Sequence, residues 1–159
     1  MAAQLGDCVG IVNFIAALEP QLRRNMRNYG LERVVGPIAQ VNAEFTDVMA
    51  AYDSPAALVG AFKDAARRVI AQGANVIVPG EGPLNVFLAD QGISRVDDVP
   101  VLDSLGTLLA VAELRAAQYR RSGLRPARSG FHYAQPPRPL LDAARQWYGI
   151  TNALEARVP

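Results

Sequence analysis

Residues 73–85 read Gly-Ala-Asn-Val-Ile-Val-Pro-Gly-Glu-Gly-Pro-Leu-Asn, and their order decides the fold. Val76-Ile77-Val78 is a short β-branched run of the kind that forms a buried strand. Pro79-Gly80 ends it. Glu81 then stands between two glycines, and Pro83 sits where a helix would begin. Open α/β sheets hold their ligands where a strand ends in a Gly-rich turn and opens a helix. A carboxylate at that point does chemistry, touches a ligand, or satisfies free N–H groups in a first helical turn.

Toward the N-terminus, Cys8-Val9-Gly10-Ile11-Val12 reads as a first strand, closed by Asn13. Glu19-Pro20 fits the first turn of a helix, and Gly30 fits its C′ position. Val34-Val35 through Ile38 reads as a second strand. Pro37 lacks an N–H, which places that strand at an edge. Glu44 to Tyr52 reads as a short helix. Ser54-Pro55 supplies N-cap and N1 of a longer one, ended by Gly73. Its Leu58, Phe62, Ala65 and Val69 recur at helical spacing, while Lys63, Asp64, Arg67 and Arg68 take the other face.

Toward the C-terminus, Pro83 to Gln91 reads as a helix stopped by Gly92. Val99-Pro100-Val101-Leu102 reads as a fourth strand. Asp103-Ser104 then caps a helix from Leu105 to about Arg121. Its first turns are apolar nearly all round (Leu105, Leu108, Leu109, Val111, Ala112, Leu114), which predicts burial on more than one side. Strands alternating with helices imply parallel pairing through right-handed crossovers. The expected fold is α/β: a three-layer sandwich around a four-stranded parallel, flavodoxin-like sheet, over residues 1–121.

Residues 122–138 break any regular period with Ser122-Gly123, Arg125-Pro126, Ser129-Gly130 and Gln135-Pro136-Pro137. A last helix, Leu140 to about Tyr148, carries Leu141, Ala144 and Trp147. Residues 122–159 therefore read as a C-terminal arm with a helix, packing on the lobe or on a partner chain. Phe131, Tyr133 and Trp147 need cover, which predicts a homodimer or another tight complex.

The chain has 159 residues, half of them hydrophobic and 19% charged, which suits one globular domain with a real core. A net charge of +1 gives no reason to expect nucleic acid. The balance is uneven: eight arginines and three acids follow residue 112. They are scattered, as on a solvated or salt-bridging face. Cys8 is the only cysteine, so no internal disulfide forms, and the lone His132 excludes a His-rich metal site. No cofactor or metal is expected. Neither a signal peptide nor an apolar run of about 20 residues is present, so a cytoplasmic protein without a membrane segment is expected. Gly80-x-Gly82 lacks both the further glycine of a dinucleotide fingerprint and the Gly-Lys-Ser/Thr of a P-loop. A flavodoxin-like sheet still leaves flavin or nucleotide binding open.

The succession of strand, Asn13, helix, Ala-Asn-Val-Ile-Val-Pro-Gly-Glu-Gly-Pro-Leu-Asn and Val-Pro-Val-Leu-Asp-Ser resembles the aspartate/glutamate/hydantoin racemase superfamily. The likeness is to the second lobe of its hydantoin racemase-like members. It covers residues 1 to about 121, and the segment to residue 149 resembles the family's C-terminal return. The resemblance implies two similar α/β lobes with a substrate cleft between them. Each lobe typically supplies one cysteine, and the pair removes and returns a proton beside a carbonyl from opposite faces. Here the position matching the second cysteine is Glu81, and the first lobe is missing. Cys8 stands at the start of a strand, where a structural thiol is expected.

Proton abstraction beside a carbonyl needs a base within hydrogen-bond reach and donors aimed at the enolate oxygen. Glu81 is the candidate base. The helix dipole lowers its pKa and burial raises it. A substrate carboxylate would be repelled by ionised Glu81, so a neutral ring such as a hydantoin fits better than an amino acid. Parallel topology brings Asn13, Gly80, Gly82, Asn85, Asp103 and Ser104 to one edge of the sheet. Asn13 and Asn85 suit a carbonyl or amide. Asp103 and Ser104 serve either a ligand or the following N-cap. His132 is a packing histidine, or an acid if the arm folds over the cleft. The expected function is a cofactor-independent racemase or isomerase on a small hydantoin or amino-acid-like compound, completed by a second copy or a separate first lobe. The alternative is a non-catalytic ligand-binding or accessory subunit of the same fold.

Overall fold

The computed structural model describes residues 1–130 and 134–150. The chain divides into two compact units, Met1–Leu114 and Arg115–Pro159. The first unit opens with a short helix, α1 (Ala2–Leu5), then β1 (Val9–Asn13), a 3₁₀ turn (Ala16–Leu18) and α2 (Glu19–Asn28). Then come β2 (Val35–Gln40), α3 (Phe45–Ala50), α4 (Ala56–Ile70), β3 (Val76–Pro79) and α5 (Gly82–Asp90). The pair β4 (Arg95–Val96) and β5 (Val99–Pro100) leads to α6 (Ser104–Ser122), which runs into the second unit.

The three main strands pair in parallel, in the order β2-β1-β3. β2 lies at an edge, as Pro37 requires. Its register against β1 shifts between Val9 and Ile11, so three β2 residues, Val35, Gly36 and Pro37, precede Ile38 where two β1 residues precede Ile11. That irregularity falls at Gly36-Pro37, where a donor is missing. Val12, Ala39 and Ile77 point into the main core with Phe62, Val69, Leu84, Phe87 and Leu88. Gly10 faces the same way. A Cβ on it would stand 2.8 Å from Ala74 Cβ and Val69 Cγ2, so α4 lies closer to β1 than any side chain allows. The opposite face of the sheet, with Val9, Ile11, Val35 and Val78, meets Leu22 and Met26 of α2 around an apolar hollow of about 310 Å³. Helices therefore cover both faces.

The expected fourth parallel strand is reduced. Val99–Pro100 pairs antiparallel with Arg95–Val96, and Val101 makes one isolated parallel bridge to Ile77. Pro100 has no N–H to give a longer ladder. Asp97, with a left-handed φ of 51°, turns the chain back tightly on itself and fixes the hairpin. The Leu102 N–H still reaches the Ile77 carbonyl at 2.8 Å, so the chain leaves for α6 beside β3.

Other boundaries shift by a few residues. Asn13 ends β1 from inside it, and β2 continues two residues beyond Ile38. Pro55, not Ser54, occupies the N-cap of α4, and no side chain caps that end. Glu44 and Asp47 form a capping box on α3. Gly73 and Gly92 adopt positive φ just beyond α4 and α5, as helix stops require.

The largest departure is α6. Leu108, Leu109 and Leu114 are exposed by 62%, 66% and 56%, and no residue of the helix is buried. A sequence apolar on all sides predicts burial, but among the described residues nothing buries this helix. In the second unit, α7 (Arg138–Trp147) leaves Trp147 84% exposed. Phe131, His132 and Tyr133 lie outside the described residues. Among the described residues, no helix is long and apolar enough to cross a membrane.

Candidate functional site

Asn13, Gly80 and Glu81 meet at the carboxyl edge of the sheet because β1 and β3 run in parallel and end in register, Val12 against Pro79. The Gly80 N–H donates to the Val12 carbonyl at 2.8 Å, carrying the ladder one residue past β3. Gly80 touches Asn13: a Cβ there would stand 2.8 Å from Asn13 Cβ and 3.2 Å from Ile11 Cγ2. Only glycine allows the two strand ends this approach.

Glu81 takes the N-cap position of α5 in extended backbone, yet its side chain does not cap that helix. The carboxylate instead reaches back to the loop after β1. Oε1 accepts from the Ile15 N–H at 3.0 Å, and both oxygens accept from the Phe14 N–H at 3.2 and 3.3 Å. The first-turn role expected for this carboxylate is thus replaced by a bond between two loops. Glu81 is 8% exposed. Desolvation pushes its pKa above the usual glutamate value, and the Ile15 and Phe14 N–H groups offset part of that rise. The balance favours a carboxyl group that can hold or release a proton closer to neutrality. Gly82, the first residue of α5, has nothing within 4 Å of where a Cβ would stand. The turn is open on that side.

Asn85, Asp103 and Ser104 form a second, closed cluster. Asn85 Nδ2 donates to Asp103 Oδ1 at 2.7 Å, and Asn85 Oδ1 accepts the Ser104 N–H at 2.8 Å. Asp103 Oδ1 also accepts the Gly106 N–H at 2.9 Å, which makes Asp103 the N-cap of α6. The Gly106 N–H and the Asn85 amide hold the Asp103 carboxyl below the ordinary aspartate value. The cluster binds α5, which carries Asn85, to the start of α6. Asn85 is 3% exposed and uses both ends of its amide in doing so.

Cys8 lies at the other end of β1, where its N–H donates to Asn75 Oδ1 at 3.0 Å. Its thiol belongs to the amino edge of the sheet. Among the described residues, no group of three or more His, Cys, Asp or Glu side chains is placed to hold a metal ion. Gln40, which the sequence did not single out, belongs to the carboxyl edge as the register partner of Asn13. No motif marks it; the only sequence signal is a polar residue ending an apolar edge strand.

No protein-family model matches the chain, and no curated protein sequence matches it. Solved structures do. The allantoin racemase from Klebsiella pneumoniae superposes with a TM-score of 0.70 at 22% identity, over 87% of this chain and 53% of that one. The allantoin racemase from Pseudomonas fluorescens gives 0.64 at 23% identity, over 87% of this chain and 55% of that one. The chain has the α/β fold of these racemases and spans about half the length of each. The kinship read from the succession of strands, turns and helices is borne out as a fold.

Proposed function

We propose that the chain is one lobe of a cofactor-independent, racemase-like isomerase acting on a small hydantoin or amino-acid-like compound. The observation that carries this reading is Glu81: a single carboxylate at the carboxyl edge of a parallel sheet, sheltered from water, with its pKa raised by burial. A carboxylate whose pKa is raised is the stronger base when ionised. In the proposed step, Glu81 takes the proton from the carbon beside a carbonyl. The C–H electron pair becomes the C=C bond of an enolate as the C=O π pair moves onto oxygen, and the protonated carboxyl returns the proton to carbon as that oxygen regains its double bond. The turn, open at Gly82 and closed by Asn13 at Gly80, admits the substrate on its Gly82 side. Asn13 contacts its polar groups, while Asn85, Asp103 and Ser104 hold the turn and the start of α6 in position. His132 remains the candidate acid of the arm.

A base on one face exchanges a proton but returns it to that face. Inversion needs a second group on the opposite face. A second copy of the chain, or a separate first lobe, supplies that group in this reading. The protein works in the cytoplasm and needs no nucleic acid or membrane. One observation favours the accessory, ligand-binding alternative: both Glu81 oxygens already accept backbone N–H groups.

The test is proton exchange. Hydantoins and acidic amino acids in deuterated water, followed by NMR and polarimetry, are expected to show exchange at the reacting carbon with the wild-type chain. Glu81→Gln is expected to abolish it. Equal rates for the two proteins remove Glu81 from the mechanism. No exchange by the wild type on any of these compounds leaves the accessory reading.

A further inference from the structure

Asn13 and Gln40 form the last rung of the parallel β1–β2 ladder. Register partners in such a ladder send their side chains to the same face. Asn13 is 0% exposed, and its Nδ2 donates to the Ile15 carbonyl at 3.3 Å. Its Oδ1 is buried with no partner. The same is true of both amide atoms of Gln40, Nε2 and Oε1. Buried amides without partners are uncommon in folded proteins, because each forfeits its hydration for nothing. Packing does not call for them, since an aliphatic side chain fills similar volume without that penalty. The backbone beneath Gln40 is pinned, as the Arg68 guanidinium donates to its carbonyl. Gly80 lies against Asn13 from the other side, so this rung adjoins the turn that carries Glu81.

Resting on the site reading above, we propose that Asn13 and Gln40 recognise the polar edge of the ligand, and that Gln40 is a specificity-determining residue. The free valences define that edge. Asn13 offers one acceptor. Gln40 offers an acceptor and N–H donors. Their complement is an uncharged group with an N–H beside a carbonyl, as in an amide, imide or ureide. A carboxylate brings no donor for Asn13 Oδ1 and is disfavoured on that ground.

The test uses the full chain, hydantoin, and 1,3-dimethylhydantoin, which has no N–H. Gln40→Met keeps the length of the side chain and removes its amide. Its melting temperature is expected to rise by about 2–4 °C, the shift that one relieved polar group produces in a chain of this size. Its affinity for hydantoin is expected to fall at least about tenfold, the loss of one good hydrogen-bonded contact. Gln40→Glu, which loses the N–H donors, weakens hydantoin binding without the rise in melting temperature. The wild type is expected to bind hydantoin more tightly than its dimethyl derivative.

A lower melting temperature for Gln40→Met shows that the amide is already satisfied, by an ordered water, and overturns the proposal. So does equal affinity of the wild type for the two hydantoins. Hydantoin binding kept by Gln40→Met but lost by Glu81→Gln overturns this inference alone. A wild-type chain that binds neither compound overturns it together with the site reading.

Discussion

The carboxylate of Glu81 accepts the backbone N–H of Ile15 at 3.0 Å, across 66 residues of sequence. One side chain thereby joins the loop after β1 to the turn after β3. It holds together two loops at the carboxyl edge of the sheet. The geometry positions the acid and costs it solvation, and both consequences can be measured.

Burial raises the Glu81 pKa, so the folded chain binds this proton more tightly than the unfolded chain does. The stability it contributes is present below the ordinary glutamate value, about pH 4.3, and is lost as pH rises through the folded value. Glu81→Gln mimics the protonated state at every pH. Urea midpoints from pH 4 to 8 are expected to show the wild type losing stability relative to Glu81→Gln as pH rises. An unchanged difference across that range contradicts the assignment.

Asp103 moves the other way, because the Gly106 N–H and the Asn85 amide favour its ionised form. Its stabilisation is present above the ordinary aspartate value, about pH 3.9, and is lost as the solution is acidified through the folded value. Asp103→Ala removes the N-cap of α6, at a cost of about 1 kcal/mol near neutral pH. The gap between the two proteins should narrow in acid. Faster amide exchange at Ser104 and Gly106 should accompany the substitution.

The two glycines flanking Glu81 are expected to respond differently. Gly80→Ala forces a Cβ against Asn13 and Ile11, and such overpacking costs about 1–3 kcal/mol. Gly82→Ala adds its methyl in open space at the start of a helix, where alanine is the better former, so stability holds or improves. If the turn admits substrate there, Gly82→Ala reduces exchange of the substrate proton all the same. Loss of stability in Gly82→Ala, or full activity in it, argues against an open turn used by a ligand.

The apolar residues of α6 predict association. Leu108 and Leu109 are 62% and 66% exposed in the single chain. Light scattering is expected to give a dimer, and Leu108→Glu with Leu109→Glu a folded monomer. A monodisperse wild-type monomer refutes the partner reading.

The local chemistry of this chain was legible in its residues. Val76-Ile77-Val78 forms a buried strand, Pro37 keeps β2 at the edge, and Gly73 and Gly92 stop their helices. Each rests on a preference of one residue for one backbone state. The parallel pairing of β1, β2 and β3 also followed, because the helices between strands are too long for hairpins. The short β4–β5 hairpin did not. It depends on Asp97 accepting a left-handed conformation, which many residues in that position do not.

The site divides in the same way. The sequence by itself determined that Gly80 and Glu81 follow a strand and that Gly82 opens a helix, since those identities act over a few neighbours. Only the tertiary structure decided what Glu81 bonds to, which face of the sheet Asn13 shares with Gln40, and that no residue of α6 is buried among the described residues. These are relations between segments tens of residues apart, and burial and hydrogen bonding across such distances arise only once the segments have packed.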